Sequence, residues 1–83
     1  MRKPKINDLV VVEWLDALIY DPKGTTICDP VKASTAGWLV RDDEVCVAVA
    51  SERFDQHDEI TSPYRGVTVV PRGMVTKVRP CSS

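Results

Sequence analysis

Apolar residues recur along this chain in short runs of strand period, and turn-forming residues separate them. The first run, Leu9 to Tyr20, is rich in β-branched and aromatic residues. Val10, Val12, Trp14 and Leu18 share one parity, and Val11, Glu13, Leu15 and Ala17 share the other. This predicts a strand buried on one face and partly covered on the other. Asp16 falls on the same face as Trp14, which places it at the rim of a core or against a polar partner.

From Asp21 to Gly37 the alternation fades. Asp21-Pro22-Lys23-Gly24 and Asp29-Pro30 are turn signals, so the segment reads as a long first loop. Trp38 to Arg41 then predicts a second strand, Asp42-Asp43-Glu44 a hairpin tip, and Val45 to Ala50 a third strand. In that third strand Val45, Val47 and Val49 oppose the smaller Cys46, Ala48 and Ala50, a face that suits close approach of another layer. Ser51 to Gly66 is polar and reads as a loop, and Val67 to Val70 forms a fourth strand. Pro71-Arg72-Gly73-Met74 interrupts the chain and fits one 3₁₀ turn, because proline cannot donate to a ladder and glycine permits a sharp bend. Val75 to Arg79 is the fifth strand, and Pro80 stops it.

Five strands and no helix predict an all-β fold, and a small all-β chain covers its edges by curling. The order of elements resembles an SH3-like barrel over residues 8–79, with Asp21–Gly37 in the place of that fold's long first loop. Residues 1–7 read as a basic N-terminal segment and residues 80–83 as a loose tail. A length of 83 residues allows one domain, and 43% hydrophobic with 28% charged residues excludes a disordered chain. No apolar run approaches the roughly 18 residues of a spanning helix, and no secretory leader is expected from the first residues.

Charge changes this picture through its distribution. The net charge of −1 conceals an acidic middle, where Asp42, Asp43, Glu44, Glu52, Asp55, Asp58 and Glu59 face only Arg53. Residues 65–83 carry Arg65, Arg72, Lys77 and Arg79 and no acid. Non-specific nucleic-acid affinity needs a continuous basic surface, so a nucleic-acid partner is not expected. Cys28, Cys46 and Cys81 are odd in number and lack the spacing of a zinc site, which favours free thiols in a reducing, cytoplasmic compartment.

Three pieces add a narrower likeness. Val12-Glu13-Trp14-Leu15-Asp16-Ala17, Gly37-Trp38-Leu39-Val40 and Val70-Pro71-Arg72-Gly73-Met74-Val75 are similar to a group of small bacteriophage and prophage proteins. That group reads as a Trp-x-Asp-Ala strand, a Gly-Trp strand and an Ile-Pro-Lys turn into the last strand. Here Val70 stands for the isoleucine and Arg72 for the lysine. The resemblance implies a phage origin and a role in the cytoplasm of an infected bacterium. Most of the group has no assigned chemistry.

Catalytic machinery is missing from the sequence. The single histidine, His57, sits in Asp55-Gln56-His57-Asp58-Glu59, a run with no apolar wall. Nothing orients a Cys28–His57 pair. Gly24, Gly37, Gly66 and Gly73 form neither a Walker loop nor a dinucleotide fingerprint, and the acid clusters lack the alternation of a calcium loop. The expectation is a non-enzymatic protein with no cofactor and no metal.

Binding groups are present. Trp38, Arg41, Tyr64, Arg65 and Arg72 are the candidate ligand residues, because flat rings stack on nucleobases and guanidinium forks grip phosphate or carboxylate. Tyr64 and Arg65 are expected in the loop before the fourth strand, and Arg72 in the break before the fifth. By analogy with SH3-like barrels those loops approach the first loop and form a groove. Trp14 reads as core. The first functional reading is a phage-encoded binder acting against host defence, which sequesters a small anionic, cyclic nucleotide at a homo-oligomer interface. A domain this small needs an interface to enclose such a ligand. The alternative is a protein–protein interaction module that binds and inhibits a host or phage protein.

Overall fold

The computed structural model describes residues 3–16, 31–55 and 62–81. Within them lie five strands: β1 (Leu9–Asp16), β2 (Val31–Asp42), β3 (Cys46–Arg53), β4 (Tyr64–Pro71) and β5 (Val75–Pro80). One 3₁₀ turn, Arg72–Met74, separates β4 from β5, where proline and glycine predict it. All pairings are antiparallel, in the order β4-β3-β2-β1-β5. This is the all-β, SH3-like arrangement expected from the sequence. The roll is open rather than closed by a ladder, since β4 and β5 stand at opposite edges among the described residues.

Alternation decides what is buried. Val10 and Val12 of β1, Leu39 of β2, and Val47 and Val49 of β3 are at most 1% exposed and form the core. Burying each such side chain contributes about 1.5–3 kcal/mol, an upper figure because the unfolded chain is itself partly compact. Trp14, Val75 and Val78 pack against this cluster, and the Trp14 indole N–H donates to Thr35 Oγ1 at 3.0 Å. Trp14 is therefore half-buried against the core on the face that the parity of β1 predicts, with its donor satisfied. Asp16 is half-buried at the end of β1, at the rim.

Several boundaries differ from the sequence expectation. Residues 31–37 are strand, not loop, and pair with β1 from Val31↔Asp16 to Gly37↔Val10. Their alternation is present but muted: Ala33, Thr35 and Gly37 turn inward, and Lys32, Ser34 and Ala36 turn outward. Small inward residues give no hydrophobic signal. Gly37 is small for a reason, because a Cβ there would lie 2.3 Å from the Ala50 carbonyl oxygen. Val45 belongs to the hairpin tip and is 64% exposed, so β3 starts at Cys46. Tyr64 and Arg65 lie in β4 rather than in a preceding loop. Residues 17–30, most of the expected first loop and its Cys28, fall outside the described residues, as do residues 56–61 with His57 and the end of the tail.

Two irregularities bend the sheet. The β2–β3 register shifts between Leu39 and Arg41, and the β1–β5 register between Glu13 and Trp14. Bulges of this kind increase local twist and help a short sheet roll. At the second, the Thr76 hydroxyl donates to the Glu13 carbonyl at 2.9 Å and satisfies it. Cys46 is buried and free, and Cys81 is exposed and free.

Candidate functional site

The registers define an outer sheet face opposite the core. Leu9, Trp38, Ala50 and Val67 stand side by side across β1, β2, β3 and β4, and the adjacent row holds Arg41, Ala48 and Val69. Ala48 and Ala50 are buried between their larger neighbours, whereas Leu9, Val67 and Val69 are 49%, 46% and 60% exposed. Glu52 and Arg65 form the next row on the same face. The result is an apolar strip centred on Trp38, with an arginine toward each end. Clustered exposed apolar side chains beside a tryptophan are the composition of a contact surface, whereas scattered ones are ordinary.

Trp38, Arg41 and Arg65, three of the five candidate residues, thus share one sheet face. None of them is idle. The Arg53 guanidinium lies 5.2 Å from the Trp38 ring centroid, and that of Arg65 lies 4.9 Å from the Phe54 ring. The Arg41 Nε–H donates to Asp43 Oδ2.

The other two candidates do not join them. Tyr64 pairs with Arg53 at one end of the β3–β4 ladder, and its hydroxyl donates to Asn7 Oδ1 at 2.8 Å. Arg72 lies beyond the other end, where Pro71 pairs with Cys46. The first loop that the expected groove needs lies outside the described residues, and Tyr64 and Arg72 stand too far apart to share one groove. The physical reason is the length of β4: eight extended residues at about 3.3 Å each separate Tyr64 from Arg72. A strand of only Val67 to Val70 would bring those two flanks together, and β4 is twice that length at eight residues.

Arg72 serves the hairpin tip. Its Nε–H donates to the Asp43 carbonyl at 2.9 Å, and its terminal N–H to Asp42 Oδ1. Asp43 organises the same tip through Oδ1, which accepts from the Val45 and Cys46 backbone N–H groups at 2.8 and 3.0 Å. These donors, with Arg41 foremost, hold the Asp43 carboxyl at about 2, below the ordinary 3.8, and the same contact raises the Arg41 guanidinium. Beside the tip is an open cleft of about 490 Å³ walled by Lys3, Lys77 and Arg72 and by Asp42, Asp43 and Glu44. Cations and carboxylates in equal number give it no preference for an anion. Among the described residues no group of three metal-ligating side chains occurs, and no helix is long and apolar enough to cross a membrane.

Sequence reasoning missed Asn7, Arg53, Leu9 and the outward valines. The parity of Val67 and Val69 was available as a signal. Their exposure was not, because it depends on β4 standing at an edge. Comparisons with family models, curated proteins and solved structures returned no match.

Proposed function

We propose that the protein is a non-enzymatic protein-interaction module that seats its partner on the outer sheet face. The observation that carries this reading is the strip of Leu9, Trp38, Val67 and Val69, three of them about half exposed, on the face opposite the core. Trp38 and the flanking Arg41 and Arg65 supply the aromatic and arginine anchors that protein interfaces favour. The nucleotide reading draws less support. Two of its five residues, Tyr64 and Arg72, stand at opposite ends of β4, and Arg72 already binds the Asp42 carboxylate. The likeness of three short pieces to phage proteins makes a protein of the bacterial host the partner to test first.

The test compares wild type with Leu9→Arg, a change at an exposed position on that face. Immobilised chain is exposed to bacterial lysate, and retained proteins are identified. A protein held by wild type and lost with Leu9→Arg supports the reading. A parallel thermal-shift panel of linear and cyclic nucleotides gives the opposing outcome. A nucleotide at a hundredfold excess over its Kd stabilises by about 2.7 kcal/mol, and that result would return the function to ligand sequestration.

A further inference from the structure

The two edges of the sheet are built differently. β5 carries Lys77 and Arg79 and ends in Pro80, the usual devices that keep a strand edge from pairing with another chain. β4 also ends in a proline, Pro71, and Gly66 takes a left-handed φ of 64°, but between them Val67 to Val70 has no such guard. From Arg65 to Val69 five consecutive residues are exposed, and Val67, Thr68, Val69 and Val70 carry neither charge nor proline. Its only charged side chain, Arg65, lies back over the ring of Phe54, the residue that follows β3. Among the described residues no strand pairs with the outer edge of β4.

We propose that this edge pairs antiparallel with β4 of a second copy, so that the protein forms a two-fold dimer with one sheet of ten strands. The sequence of β4 is self-complementary in that arrangement. Bonded and non-bonded pairs alternate along an antiparallel ladder, so a two-fold axis must fall where a residue meets its own copy. With Thr68 on the axis, Val67 of each chain meets Val69 of the other, on the outer face, and this happens twice. Arg65 then lies opposite Pro71, and no like charges meet. Valine–valine and threonine–threonine cross-strand pairs are favourable, and opposed like charges are not. Closed two-fold dimers are also the commonest assemblies of identical chains. The dimer forms along the edge of the sheet and shares Val67 and Val69 with the docking strip, whereas Leu9, at the other end of that strip, stays outside the dimer contact. It would place two copies of the Trp38 strip side by side.

Sedimentation or light scattering across a dilution series tests this. The expected mass at high concentration is twice the 9.2 kDa of the chain, falling on dilution. Thr68→Lys puts two ammonium groups on the axis and should leave only monomer at every concentration, with the circular dichroism of wild type. Thr68→Cys, in a chain with Cys28 and Cys81 changed to serine, should cross-link to itself under oxidised glutathione. Residues opposed in a ladder have Cα atoms about 4.5–5.5 Å apart, within disulfide reach. If Thr68→Lys fails to fold, the cysteine variant decides. A wild-type chain that stays at monomer mass throughout overturns the proposal. So does a dimer that persists in folded Thr68→Lys, or a Thr68→Cys chain that does not cross-link. Retention of a lysate protein that Leu9→Arg abolishes would survive any of these failures.

Discussion

The Tyr64 hydroxyl donates to Asn7 Oδ1 at 2.8 Å, across 57 residues of chain, and the Arg53 guanidinium donates to the same oxygen at 3.2 Å. Asn7 is the node that ties the segment before β1 to the far end of the β3–β4 hairpin. Its backbone takes part too, since the Asn7 N–H donates to the Leu39 carbonyl at 2.7 Å. Asn7 adopts φ of 78°, a left-handed conformation that asparagine tolerates better than most residues. An aromatic that the sequence offers as a ligand group is therefore spent on tertiary structure.

Tyr64→Phe removes one partly solvated hydrogen bond and should cost at most about 1 kcal/mol. Asn7→Val removes both bonds and forces a β-branched residue into the left-handed region, adding about 1–3 kcal/mol of strain. Asn7→Gly keeps the backbone and loses only the side-chain bonds, so it should fall between them. Urea midpoints rank the three. Equal losses for Val and Gly would show that the backbone conformation carries no cost.

Gly37 of β2 faces the β3 backbone at Ala50. An added Cβ would lie 2.3 Å from the Ala50 carbonyl oxygen and 3.0 Å from its carbon, both backbone atoms that cannot swing aside. Gly37→Ala should therefore destabilise by about 1–3 kcal/mol, as overpacking does, and the thermal midpoint should drop accordingly. Gly73→Ala is the control, because nothing lies within 4 Å of a Cβ there. A larger drop for Gly73 than for Gly37 would contradict the close approach.

The parts of the fold legible in the sequence are those where side-chain size tracks burial. Val10, Val12 and Trp14 alternate clearly, and Pro71 to Met74 has the chemistry of a break, so the first strand and the 3₁₀ turn can be read directly. Val31–Gly37 cannot, because its inward residues are Ala33, Thr35 and Gly37, small enough for backbones to meet but not apolar enough to signal a strand. β4 illustrates the opposite error. Tyr64 and Arg65 look like loop, yet in an edge strand they need only one pairing partner, and Arg53 and Glu52 of β3 supply it. The site followed the same limits. Trp38, Arg41 and Arg65 are brought onto one face by pleat and register, whereas Tyr64 and Arg72 are held apart by the eight-residue length of β4.

Asp43 makes the hairpin tip sensitive to acid. Its carboxyl sits at about 2 when folded, against an ordinary 3.8, chiefly because it accepts from Arg41 and from two backbone N–H groups. A depressed carboxylate contributes stability that is full above its unfolded value and lost as pH falls through the folded one. The wild type should therefore weaken as pH drops from 3.8 toward about 2. Asp43→Asn should be less stable than wild type at neutral pH, and the gap should narrow across that window. Urea unfolding at several pH values measures it. A gap that widens toward low pH would show that the carboxylate does not hold the tip.

Arg72 is the sharpest case of a residue whose chemistry invites one role and whose position gives it another. Its guanidinium joins the 3₁₀ turn to the β2–β3 tip through the Asp43 carbonyl and the Asp42 carboxylate, whose side chain is only 12% exposed. Arg72→Ala should thus cost about 1–2 kcal/mol, the lower part of the range for charge-assisted bonds because the arginine itself is 37% exposed. The double-mutant cycle with Asp42→Asn separates this contact from general loss of packing. Partners in one network couple by about 0.5–3 kcal/mol, and solvent access places this pair near the lower end. Additive losses would mean that the two side chains act independently, and Arg72 would again be open to a ligand.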